Sequence, residues 1–209
     1  MAFQIIREDI TRVKADAIVN TANPEPVYGD GTDAAIYKAA GPRRLLRRRK
    51  RIGRMNVGEA AATPAFRLHA DYIIHTVGPK WIDGEHGERE AVRKCYTASL
   101  TLARQLGCRS IAFPLIAAGT YGFPRAEALS IAVEVIRDYL EENEMKVLLV
   151  VFDQESFVLS GGTFPWRKGI CGPELCGRPA EGGIRPGPKA KCSPEFQKPG
   201  KRTRLPGRR

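Results

Sequence analysis

Two stretches of this chain join an apolar run, a glycine-bearing loop and a helix-like segment, a combination that binds anions through the main chain. The first, Asn20-Thr21-Ala22-Asn23-Pro24-Glu25-Pro26-Val27-Tyr28-Gly29-Asp30-Gly31-Thr32-Asp33, follows the apolar Ala17-Ile18-Val19. The second, Phe113-Pro114-Leu115-Ile116-Ala117-Ala118-Gly119-Thr120-Tyr121-Gly122-Phe123-Pro124, has the same plan. Glycines let backbone N–H groups come close to an anion, and a helix N-terminus adds positive potential. Ligands of open α/β sheets lie beyond the carboxyl ends of the strands. Two such loops can therefore wrap one diphosphate from both sides. Each loop taken singly is also an ordinary strand–helix turn. Neither is a Walker A or a GxGxxG loop, so ATP and NAD lose their usual support. No CxxC or CxxC…H spacing is present, and neither a metal nor a cofactor is expected.

The elements that must hold these loops read as alternating strands and helices. The apolar runs Phe3–Ile6, Ala17–Val19, Tyr72–Thr76, Ser110–Phe113 and Val147–Phe152 predict strands. Helical patterns cover 33–40, 42–52, 88–106 and 124–142, the last opening with Pro124, a favoured first-turn residue. Continuously apolar strands are covered on both faces, so the sheet is predicted to lie between helix layers. The run Arg43-Arg44-Leu45-Leu46-Arg47-Arg48-Arg49-Lys50-Arg51 reads as a solvated helix face, with steering of anions as its rival. His75, within an apolar strand, reads as a hydrogen-bonded core histidine.

Composition divides the chain. The net charge of +11 is not spread evenly: residues 161–209 carry 12 Lys/Arg against 3 Asp/Glu, leaving 22 against 20 in residues 1–160. The 49 residues from 161 onward also hold 10 Gly and 8 Pro. Such a segment has too few apolar residues to offset the entropy of ordering it. Residues 1–160 are read as one domain and 161–209 as a disordered basic Gly/Pro-rich tail. Five irregularly spaced cysteines are not a disulfide framework, and reduced thiols are expected. With no targeting segment and no membrane-length apolar run, the protein is placed in the cytoplasm, with no membrane partner.

Through residues 3–158 the chain resembles the macrodomain family, the ADP-ribose-binding module. Asp9-Ile10-Thr11, Ala17-Ile18-Val19-Asn20-Thr21-Ala22-Asn23, Gly29–Asp33, Ile36-Tyr37-Lys38-Ala39-Ala40-Gly41, Ile73-Ile74-His75-Thr76-Val77-Gly78-Pro79 and Ser110–Pro124 match its motifs in order and spacing. The resemblance implies a three-layer α/β/α fold with a mixed, mostly parallel central sheet. It implies that Asp9 accepts a hydrogen bond from the adenine amino group and that Ile10 supplies a backbone contact. Asn23 would hold the distal ribose, and Gly29, Gly31 and Thr32 would line that ribose and one phosphate. Asn20 is counted with the binding set but is read first as structural, because a strand-end asparagine often bonds local backbone. Ala118, Gly119, Thr120, Tyr121 and Gly122 would cradle the diphosphate, with Tyr121 shielding the ribose. Phe152 would stack on adenine or serve as core.

Asp33 occupies the position of the catalytic Asp in family members that remove ADP-ribose from carboxylate side chains. Together with Asn23 it is the expected catalytic group; as a plain helix residue it would only favour the first turn by its charge. Three departures stand out: Glu8 and Asp30 replace family glycines, and Ala117-Ala118 replaces Ser-Thr. The expected function is hydrolysis of ADP-ribosyl esters on acidic side chains, with O-acetyl-ADP-ribose a further substrate. The expected partners are ADP-ribose or ADP-ribosylated proteins. The alternatives are a non-catalytic reader of ADP-ribose, and a nucleic-acid-binding protein acting through the basic tail, which is not favoured.

Overall fold

The computed structural model describes residues 2–152, 157 and 158. The tail reading for 161–209 lies outside the described residues. The elements run β1 (Phe3–Arg7), a 3-10 turn (Ile10–Arg12), β2 (Ala17–Thr21), α1 (Gly31–Ala40), α2 (Pro42–Ile52), β3 (Ala60–Pro64), β4 (Tyr72–Thr76), α3 (Glu88–Gln105), β5 (Ser110–Pro114), α4 (Arg125–Glu142) and β6 (Lys146–Val151). The strands form one sheet in the order β1-β6-β5-β2-β4-β3. Every neighbouring pair is parallel except β3 with β4, which is antiparallel. The sheet is mixed and mostly parallel.

Side chains alternate across a strand, and here the alternation sorts the core into two layers. Val19, Ile74, Ile111, Phe113, Val147 and Leu149 pack against Val92, Tyr96 and Leu100 of α3 and Ala132 and Ile136 of α4. Their strand neighbours Ile18, Ile73, Ala112, Leu148 and Val150 face Ile36, Tyr37 and Ala40 of α1 and Leu45 of α2. This is the three-layer α/β/α arrangement. It also decides where the polar residues of β2 and β4 go. Asn20 is two residues beyond Ile18 and His75 two beyond Ile73, and the register sets Asn20 opposite His75. Both therefore project toward the layer that carries α1 and α2.

The strand β3 was missing from the sequence reading. Its residues, Ala60-Ala61-Ala62-Thr63-Pro64, include only one β-branched side chain. Pairing with β4 makes it a strand, and Pro64 sits at its end, where edge strands tolerate proline. Among the described residues no helix is long and apolar enough to cross a membrane.

Candidate functional site

A cavity of about 450 Å³ opens at the carboxyl end of the parallel strands. Its wall comes from the ends of β1, β5 and β6 and the starts of α1 and α4. It includes Asp9, Ile10, Gly31, Thr32, Ala118, Gly119, Arg125 and Phe152. Gly31 and Thr32 open α1 and Arg125 opens α4, so two helix N-termini meet the cavity. Gly31 has φ 56°, in the left-handed region where glycine is at ease. The second loop is bent by Ala117 at φ 63° and Gly122 at φ 72°. It is closed by hydrogen bonds from Gly122 N to Gly119 O (2.9 Å) and from Phe123 N to Ala117 O (3.1 Å). A Cβ built on Gly119 would touch nothing within 4 Å, so this loop presents open backbone.

Asp9 caps the 3-10 turn: its Oδ1 accepts from Thr11 N at 2.9 Å and from Thr11 Oγ1 at 2.7 Å. These bonds hold its carboxyl below the usual range, and Oδ2 has Arg12 at 3.9 Å. Capping and lining the cavity are compatible, since an ionised carboxylate has acceptor sites to spare. Phe152, 79% exposed at the end of β6, is not core. Asp30 is exposed, makes no cap hydrogen bond and does not line the cavity.

Beside this wall lies a buried polar seam. Asp33 is 2% exposed. Its Oδ1 accepts from Asn20 Nδ2 at 2.6 Å and its Oδ2 from Gly29 N at 2.6 Å. Burial raises its pKa, opposed by those two hydrogen bonds and by the Arg49 charge. Each carboxylate oxygen keeps a further acceptor position. Asn20 Nδ2 also lies 3.1 Å from His75 Nδ1, and His75 Nε2 lies 3.0 Å from Thr63 Oγ1. With the Asn20 amide so turned, Nδ1 accepts and the ring proton sits on Nε2. Asn20 Oδ1 is the one buried side-chain polar atom without a partner among the described residues. Asn23 joins the two loops, because Tyr121 Oη donates to its Oδ1 at 3.0 Å.

The structure thus brings Asp9, Ile10, Gly31, Thr32, Ala118, Gly119 and Phe152 to one cavity. Gly29 with Asp33 and Tyr121 with Asn23 form two hydrogen-bonded pairs, and they meet at Gly29, whose added Cβ would stand 2.7 Å from Asn23 Nδ2 and 3.1 Å from Asp33 Oδ2. Thr120 and Gly122 are exposed on the second loop and do not line the cavity. Asn20 is fully buried beneath Asp33 and offers no surface to a ligand. The sequence reading missed Arg49, which was placed on a solvated face but is 1% exposed. Its guanidinium donates to Gly53 O, to Asn23 O at 3.0 Å and to Pro24 O at 3.1 Å. Helical spacing held the signal: Arg49 is one turn beyond Leu45, which is also fully buried.

Among the described residues, Asp83, His86 and Glu88 are the one cluster with metal-ligating types close together. The Glu88 carboxylate is already taken by the N–H groups of Ile82, Asp83, Gly84 and His86. This is a helix-entry cap.

His75 gives a stability prediction. Burial pushes its pKa down to about 3, with Arg49 adding to the effect. The unfolded chain takes up a proton near pH 6.5 that the folded chain refuses. The stabilisation is therefore complete above pH 6.5 and is lost as pH falls toward 3, at about 1.4 kcal/mol per pH unit. Melting temperatures at pH 7 and pH 5 are expected to differ more in the wild type than in His75→Gln. Equal differences would refute this origin.

In a mostly parallel α/β/α domain, two main-chain loops and two helix N-termini around one cavity are an arrangement suited to a phosphorylated ligand. The macro domain family model matches residues 19–132. The chain is 43% identical over 160 residues to a Pantoea vagans protein named O-acetyl-ADP-ribose deacetylase 1, covering 74% of this chain and 94% of that one. It superimposes on an Oceanobacillus iheyensis macrodomain solved with ADP at TM-score 0.73 and 34% identity, covering 76% of this chain and 87% of that one. A Trypanosoma brucei macrodomain solved with ADP-ribose gives TM-score 0.70 and 34% identity, covering 76% and 67%. The chain belongs to the macro domain family.

Proposed function

We propose that this chain binds ADP-ribose in the cavity at the carboxyl end of the sheet and hydrolyses ADP-ribosyl esters there. The observation that carries the reading is the convergence of Asp9, Gly31, Thr32, Gly119 and Phe152 on one cavity beside the Asn23–Asp33 group. Its relatives support it: one is named for O-acetyl-ADP-ribose deacetylation and one was solved with ADP-ribose bound. Main-chain N–H groups of the two loops take the diphosphate. Asp9 accepts from the adenine amino group. Asn23, steadied by Tyr121, faces the distal ribose.

In the reaction, Asp33 orients a water toward the anomeric carbon, and a ligand phosphate shares the task. The water oxygen bonds to that carbon as the C–O bond to the substrate carboxylate breaks. The carboxylate leaves with the bonding pair, through an oxocarbenium-like species, and the water proton passes to Asp33 or the phosphate. Residues up to about 160 form the unit that does this on ADP-ribosylated proteins; with O-acetyl-ADP-ribose the same water instead attacks the acetyl carbonyl carbon, the ribose oxygen leaves and takes a proton, and acetate and ADP-ribose are the products. Calorimetry with ADP-ribose, together with release of ADP-ribose from an ester-linked substrate, tests both parts. Binding without release would make the chain a reader. No binding would sink the reading.

Phe152 offers a sharper check. Stacking of a base on an aromatic ring contributes about 1–3 kcal/mol. Phe152→Ala is expected to weaken ADP-ribose binding by about tenfold and leave the melting temperature unchanged, because the ring is exposed. Unchanged affinity would remove Phe152 from the adenine site.

A further inference from the structure

Among the described residues Arg49 heads the largest fully buried side chains, yet no carboxylate lies within ion-pair distance of it. A buried cation without a contact partner is expensive to keep. Its guanidinium instead spans three carbonyls. Two of them, Asn23 O and Pro24 O, belong to the loop that carries the ribose-facing amide. The third, Gly53 O, ends the guanidinium's own helix. Five donors in a rigid fork suit Arg to this task, and a lysine ammonium cannot reproduce it.

The same charge acts on the carboxylate of the site. Burial raises the Asp33 pKa and the Arg49 charge opposes that rise; burial in turn lowers the Arg49 pKa, opposed by Tyr37 and Asp33. The other titratable groups facing Asp33 are Asp30 and Tyr37 of its own helix region, Tyr121 of the second loop, and neutral His75 beyond Asn20. None of these supplies a positive charge.

We propose that Arg49 is a positioning residue of the site: its guanidinium fixes the Asn23 loop through the Asn23 and Pro24 carbonyls and sets a positive charge within the buried seam that holds Asp33. This rests on the reading of Asp33 as the group that orients water. The clamp and the charge are separable. Arg49→Met removes both; Arg49→Lys keeps the charge and loses the fork.

The experiment measures ester hydrolysis against pH for wild type, Arg49→Met and Arg49→Lys, and follows Asp33 by carboxyl carbon NMR in the same proteins. Misplacement of reacting groups by a fraction of an ångström to an ångström lowers turnover by up to about a hundredfold. A comparable loss of kcat is expected in both variants. In Arg49→Met the acid limb and the Asp33 titration are expected to move up together by about one pH unit; in Arg49→Lys both stay near wild type. A purely structural Arg49 would lower the melting temperature and leave the Asp33 titration in place, and that result overturns the proposal. The titration needs no turnover, so it stands or falls separately from the hydrolase reading. Should Arg49→Met not fold, Asp33→Asn combined with Arg49→Met removes both charges and is expected to restore folding. Failure to restore it also overturns the proposal.

Discussion

Asp33→Ala is expected to lower ester hydrolysis by about a hundredfold to a thousandfold while ADP-ribose affinity stays within about tenfold of wild type. The magnitude is that of a positioned acid–base group. Affinity is expected to survive because the proposed diphosphate cradle is the main chain of Gly31, Thr32 and Gly119, which line the cavity, whereas the Asp33 carboxylate accepts from Asn20 and Gly29. The substitution also leaves Asn20 Nδ2 and Gly29 N without their acceptor, at about 1–3 kcal/mol for each group left unsatisfied. A lower melting temperature is therefore expected, and turnover must be measured well below it. Turnover equal to wild type in the folded variant would remove Asp33 from the mechanism.

Gly29→Ala strikes the same group from the backbone side. A Cβ at this position would stand 2.7 Å from Asn23 Nδ2 and 3.1 Å from Asp33 Oδ2. Real Cβ atoms do not tolerate the first distance, and the Asn23 amide, the end of a side chain bonded by Tyr121 Oη, is the group expected to move. One methyl then disturbs both groups that the proposed function sets at the ribose. Turnover is expected to fall by about a hundredfold, and, unlike Asp33→Ala, affinity is expected to fall with it by about tenfold or more. Calorimetry of the two variants side by side separates them. Undiminished affinity in Gly29→Ala would mean that Asn23 does not hold the sugar.

What the sequence told and what it hid follow from where each signal resides. The parallel strands were legible because a strand covered on both faces is apolar at every position, as in Val147–Val151. The two loops were legible because their glycines stand between a strand and a helix. The edge strand β3 was not, since its identity depends on the hydrogen bonds that β4 offers and not on its own alanines. Phe152 could not be assigned from its apolar run; the strand stops at Val151, and only the fold shows the next ring leaving the core. Arg49 was hidden by company. Among seven cations in nine residues it looks like the rest, and only the helix face shared with Leu45 distinguishes it. Asn20 could be read two ways, and the register against His75 makes it a support under Asp33.

The line of polar side chains running from Thr63 through His75 and Asn20 to Asp33, with Arg49 alongside, has a consequence for anyone who would harden this protein against heat. Removing one buried ionic group alone is costly, but joint apolar replacement of a buried ionic set is often neutral or favourable by a few kcal/mol, so redesign scored on thermal survival alone would tend to rewrite this seam as a whole in leucine and methionine. The winners would be sturdier and, if Asp33 orients the water, inert. A thermostabilisation campaign on this chain belongs on the α3 and α4 side of the sheet, where none of these five residues is found.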